Sequence, residues 1–181
     1  MANSKSLVAY FSRKGNNYVD GKIVNLPVGN TEVIAKKIQG IMGSGMFRIE
    51  TIQPYPEDYT EATKVAQEEK SRNARPTLTE KVDDIGSCEL IYIGYPNWCG
   101  TMPMAVFAFL EAYDFSGKTI VPFCTHEGSG MGSSERDIKS LCPNARVLTG
   151  LAIRGGSVER ADKDVANWLR RLDLLPQTKD K

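Results

Sequence analysis

The sequence predicts an α/β fold, a doubly wound five-stranded parallel sheet with helices on both faces. Three short, nearly continuous apolar runs carry the strand half of this reading: Leu7-Val-Ala-Tyr-Phe11, Leu90-Ile-Tyr-Ile-Gly-Tyr95 and Thr119-Ile-Val-Pro-Phe-Cys124. They have strand length and are rich in β-branched and aromatic residues, as strands buried on both faces are. Segments of helical periodicity lie between them, and strands alternating with helices along a chain build right-handed βαβ units.

Two weaker strand candidates, residues 46–52 and 146–153, bring the count to five. The first helix starts near Asn30-Thr31, where Val33, Ile34, Ile38, Ile41 and Met42 share one side and Glu32 complements the helix dipole. Residues 59–73 and 133–141 contain no internal proline or glycine and read as helices. Pro103 opens another, carrying Val106, Phe107 and Leu110. In the last helix Val158, Ala161, Val165, Trp168, Leu169 and Leu172 repeat at helical spacing behind a Ser157 cap.

The chain has 181 residues, 41% hydrophobic and 25% charged, which suits one domain spanning residues 1–175 with a loose tail at 176–181. With 23 basic and 22 acidic residues interspersed, there is no field of one sign to draw nucleic acid or a membrane surface. The apolar run near the start is too short for a signal-peptide core, and no stretch is long enough to span a bilayer. Cys88, Cys99, Cys124 and Cys142 form no C-x-x-C pair and read as reduced thiols of a cytoplasmic protein. A single histidine without a cysteine cluster argues against a metal site.

In doubly wound sheets, ligands bind beyond the carboxyl ends of the strands, so the loops there should carry the chemistry. After the first strand comes Ser12-Arg-Lys-Gly-Asn16, followed by a polar excursion to Gly29-Asn30-Thr31-Glu32. Hydroxyls and a helix N-terminus suit a phosphate, though Ser12 and Gly15 can equally make a turn while Asn30 caps the helix. The next loop, Pro96-Asn-Trp-Cys-Gly100, offers Trp98 as a cover for a planar ligand or as a residue packed on its own protein. A third, Thr125-His-Glu-Gly-Ser-Gly130, can present backbone groups to a ring edge, with His126 either beside the ring or exposed.

Competing motifs fail. Gly117-Lys118-Thr119 resembles the end of a P-loop, but Ala112 stands where its first glycine belongs and a strand follows. Gly128, Gly130 and Gly132 lack dinucleotide-fingerprint spacing, and neither a G-x-S-x-G elbow nor an H-E-x-x-H pair occurs.

Together the three loops, in this order, resemble the flavodoxin family, most closely bacterial members with an insertion in the phosphate loop, over residues 6–172. The resemblance implies a sheet of order 2-1-3-4-5 and an FMN cofactor. It implies that Ser12, Asn30 and Thr31 hold the phosphate, with Arg13, Lys14 and Gly15 lining that loop. Pro96, Asn97, Trp98, Cys99 and Gly100 would border the ring, and Thr125, His126, Glu127, Gly128 and Gly130 would form the other wall. The insertion at residues 17–29 is a departure, from which Tyr18 would also reach the site. No residue is assigned a catalytic role, because the chemistry belongs to the flavin. The implied function is electron transfer to a redox partner protein or a small-molecule acceptor. Alternatives are an FMN-dependent NAD(P)H oxidoreductase of small acceptors such as quinones, and a cofactor-free interaction module.

Overall fold

The computed structural model describes residues 5–175; the tail expected at 176–181 lies outside the described residues. In chain order the elements are β1 (Lys5–Tyr10), β2 (Gly15–Val19), β3 (Lys22–Leu26), α1 (Asn30–Met42), β4 (Gly45–Arg48), α2 (Tyr59–Ser71), β5 (Cys88–Pro96), α3 (Met104–Glu111), β6 (Thr119–His126), α4 (Ser134–Leu141), β7 (Arg146–Val147), β8 (Leu151–Arg154) and α5 (Asp162–Arg171).

The main sheet is parallel throughout, in the order β4-β1-β5-β6-β7, with β8 also pairing β6. Taking β7 and β8 as one interrupted strand, this is the predicted order 2-1-3-4-5. Both faces are covered, which is why the strands are continuously apolar. Leu7, Ala9, Phe11, Ile91 and Ile93 pack in one cluster with Val106 and Phe109 of α3 and Ile138 of α4. Val8, Tyr10, Tyr92, Val121 and Phe123 point the other way, onto Ile34 and Ile38 of α1 and Val165 and Trp168 of α5.

Two local expectations are corrected, and one segment with no predicted element gains structure. The excursion after β1 is an antiparallel hairpin, β2–β3, turned by Asp20 and Gly21 at φ 49° and 83°, the backbone of a two-residue primed turn. The fifth strand, expected over 146–153, is split. Pairing lapses between Ile120↔Val147 and Phe123↔Leu151, beside Pro122, which has no N–H to contribute. Ser157 does not cap the last helix: residues Gly155–Arg160 form a 3-10 turn and α5 starts at Asp162. Its periodicity remains visible because Val158 and Ala161 are buried with the helix.

Candidate functional site

The chain runs from β1 to β4 on one side of the sheet, then crosses back to β5 on the other side of β1. Loops leaving β1 and β5 therefore diverge and open a crevice at the switch point. A cleft of about 320 Å³ lies there.

At one end of the cleft is the start of α1. The first N–H groups of a helix have no intrahelical partner. That of Glu32 is taken by Ser12 Oγ at 3.1 Å, while helix geometry leaves those of Asn30 and Thr31 free of intrahelical partners. Gly29 permits this close approach, since a Cβ there would stand 2.2 Å from Ser12 Oγ and 2.6 Å from the Arg13 carbonyl oxygen. The Thr31 and Thr125 hydroxyls are 2.7 Å apart and buried. An anion would find two backbone donors, adjacent hydroxyls and the positive end of a 13-residue helix.

Arg13 lines the cleft but spends its guanidinium on backbone. It donates to the Pro56 carbonyl from Nε at 3.1 Å and Nη2 at 2.8 Å, and also to those of Asn16 and Glu57. It thus holds the loop before α2 against the loop after β1.

At the other end, Trp98 is half-buried, with its ring edge-on to Phe11 (centroids 5.2 Å) and Tyr55 (5.0 Å). Residues 98–101 form a tight turn: Trp98 N–H donates to Thr101 O at 2.9 Å, and Cys99 and Gly100 take φ 55° and 81°. The Cys99 thiol is exposed, and desolvation nevertheless raises its pKa against the opposing influence of Lys70. Asn97 ties the loop after β5 to the loop after β6, its Nδ2 donating to Gly130 O at 2.8 Å.

His126 is half-buried, and its Nδ1 accepts the Gly128 N–H at 3.0 Å. Desolvation first, and the Arg154 charge second, lower its pKa, while Glu127 opposes. It is therefore a neutral imidazole at pH 7, protonated on Nε2. The Glu127 carboxylate turns toward the hairpin tip, accepting the Asp20 N–H at 2.9 Å.

Of the residues singled out in the sequence, Ser12, Arg13, Tyr18, Asn30 and Thr31 line the cleft, as do residues 96–99 and 125–128. Lys14, Gly15, Gly100 and Gly130 do not. Lys14 faces a neighbouring groove with Arg48, Glu50 and Tyr55. Gly15 opens β2, and Gly100 and Gly130 supply backbone carbonyls to Ser133 and Asn97. Sequence reasoning missed one whole wall, in which Tyr59, Ala62, Thr63 and Ala66 present one face of α2. Their i, i+3, i+4, i+7 spacing, which puts all four on one side of a helix, is the signal that could have found them. It also missed Asn17 and Ser129. Among the described residues there is no group of three or more histidine, cysteine or acidic side chains placed to hold a metal, and no helix long and apolar enough to cross a membrane.

The model of the Flavodoxin family matches residues 5–172. No curated protein matches the sequence. Among solved structures, a protein of Bacteroides eggerthii assigned as a flavoprotein is 28% identical, with 94% of this chain and 98% of that one covered and a TM-score of 0.75. A second such protein, from Bacteroides uniformis, is 25% identical over 92% and 98%, with a TM-score of 0.69. A flavoprotein of Lactobacillus acidophilus, solved in complex with FMN, shares the fold at 19% identity over 87% and 97%, with a TM-score of 0.60.

Proposed function

Because this chain belongs to the flavodoxin family, matched over residues 5–172, we propose that it is an FMN-binding protein that carries electrons. One observation supports this most: a single cleft joins an anion-binding helix terminus at one end to aromatic and backbone walls at the other. That polarity matches a flat ring with a terminal phosphate.

In this reading the Asn30 and Thr31 N–H groups and the Ser12 and Thr31 hydroxyls hold the phosphate. Trp98, the loop around His126 and the Ala62/Ala66 face of α2 enclose the ring and keep water from it. When bound, FMN supplies one- and two-electron chemistry. The chain's residues bind, orient and tune: the neutral His126 keeps an Nε2–H donor in the cleft wall, and no general acid–base pair is needed. The acceptor is a redox protein or a small molecule, and four cysteines with no disulfide among them suit a reducing cytoplasm.

Calorimetric titration with FMN, riboflavin and FAD tests the assignment. FMN should bind more tightly than the other two. Equal affinity for riboflavin would remove the phosphate role from the start of α1, and preference for FAD would require a nucleotide site elsewhere. Stopped-flow mixing of the FMN-loaded protein with NADH and NADPH separates a carrier, which neither donor should reduce rapidly, from a nicotinamide-dependent oxidoreductase.

A further inference from the structure

The hairpin inserted between β1 and α1 is held at its tip by one side chain. Glu127, at the end of β6, accepts the Asp20 N–H through Oε2 at 2.9 Å and the Gly155 N–H through Oε1 at 3.1 Å. Arg154 Nη2 donates to the Glu127 carbonyl at 3.0 Å, fixing the backbone from which the carboxylate projects. There is little slack around it. A Cβ at Gly155 would stand 2.2 Å from Glu127 Oε1 and 2.6 Å from Asn30 Nδ2, and one at Gly156 would stand 1.9 Å from Asp20 Oδ2. Hairpin tip, ring-side loop and the first residue of α1 thus meet at one junction.

The base of the hairpin is tied by Arg13, which donates to the Asn16 carbonyl and accepts from Asn17 Nδ2 at 3.1 Å through its own carbonyl, but beyond the base the other contacts are slight. It places Asn17 and Tyr18 in the cleft wall, and the 43% exposed Tyr18 stacks on Tyr59 of α2 with centroids 6.0 Å apart and planes 28° apart. A two-stranded hairpin is marginal by itself, so tip contacts decide where it rests. Its two ends join the Ser12–Gly15 and Gly29–Asn30 segments, which form the anion end of the cleft, whereas Trp98, Ser129 and the α2 face belong to other elements.

We propose that Glu127 is a positioning residue that latches the β2–β3 hairpin across the anion end of the cleft, so that the site retains a phosphorylated flavin over an unphosphorylated one. The proposal rests on the reading of the cleft as an FMN site. Bonds from backbone N–H groups to an ionised carboxylate are among the stronger neutral-to-charged contacts, and here two of them converge on one group. Releasing them frees the hairpin, and with it the groups that confine the phosphate, while the ring walls stay in place.

The test uses the full chain as wild type, Glu127→Ala, Glu127→Gln and Gly156→Ala. The last lifts the tip by steric pressure on Asp20 and leaves Glu127 intact, so the proposal stays testable if removal of the carboxylate impairs folding. Hydrogen–deuterium exchange without ligand should show residues 15–26 exchanging about ten-fold faster or more in Glu127→Ala and Gly156→Ala, with β5 and β6 unchanged. FMN should dissociate about ten-fold faster or more from both variants, and riboflavin within about two-fold of wild type. Glu127→Gln, which keeps one acceptor oxygen, should fall between. Unchanged hairpin exchange in both variants would overturn the latch whether or not flavin binds. Equal acceleration of FMN and riboflavin release, or an opened hairpin with no faster loss of FMN, would overturn the selectivity. Wild-type protein that takes up neither flavin would overturn the functional reading and the selectivity with it, while the exchange experiment would still decide the latch.

Discussion

The Thr31 hydroxyl, in the first turn of α1, pairs with that of Thr125, 2.7 Å away and buried. Thr31→Ala would leave the Thr125 hydroxyl unpartnered and should lower stability by about 1–3 kcal/mol, seen in a urea titration. It should also weaken FMN by about 1–2 kcal/mol more than riboflavin, and Thr31→Ser should restore both; equal weakening of the two ligands would make Thr31 a support only. Trp98→Ala should cost about 1–3 kcal/mol of FMN affinity, with quenching of tryptophan emission carried by Trp98. Trp168 provides the control, being 2% exposed and donating Nε1–H to Thr149 O at 3.0 Å on the opposite face. His126 gives a pH prediction. Its folded pKa is depressed by burial and Arg154, so its contribution to stability is complete above the ordinary value near 6.5 and is lost as pH falls through the depressed value. The ligand-free protein should therefore lose stability as pH falls below about 6.5 more steeply than His126→Gln, measured by urea midpoints; parallel curves would contradict the burial argument. At this scale the sequence showed which residue types gather but not what each spends its bonds on. Glu127 reads as part of a ring wall, yet its carboxylate serves Asp20 and Gly155, a use set by contacts more than 25 residues away in the chain.

The elements differ in how openly the sequence announces them, and the difference follows burial. β1, β5 and β6 are covered on both faces and appear as unbroken apolar runs. The β2–β3 hairpin is exposed, alternates weakly and is betrayed only by Asp20-Gly21 between Tyr18-Val19 and Ile23-Val24, the short-range signature of a primed turn. Gly21 has φ 83°, and Gly21→Val should cost the hairpin about 1–2 kcal/mol, read as faster amide exchange confined to residues 15–26. α2 was legible as a helix but not as a wall, because its cleft face is built from Ala62, Thr63 and Ala66, whose small side chains give it little apolar contrast. α5 starts later than its periodicity predicts, because Gly155 and Gly156 lie where side chains would collide with Glu127 and Asp20. The chain rounds that junction as a 3-10 turn before the helix begins.

For the molecule as a whole, the parallel sheet and a site at the carboxyl ends of its strands are readable from the alternation of apolar runs and helical segments, whereas the strand order that sets the switch point is implied by the family resemblance. The formal net charge of +1 adds an electrostatic expectation. Adding negative charge to a bound flavin meets less like-charge repulsion here than in a strongly acidic protein. The potential for uptake of the second electron should therefore be less negative than in acidic carriers of the same fold, tested by redox titration at low ionic strength. The central claim, that the cleft holds FMN, is tested most directly by the visible spectrum of the purified protein after incubation with flavin, with mass analysis of the cofactor released on denaturation. A yellow protein releasing FMN in a one-to-one ratio is the predicted result; a colourless protein, or one releasing FAD or riboflavin, would contradict it.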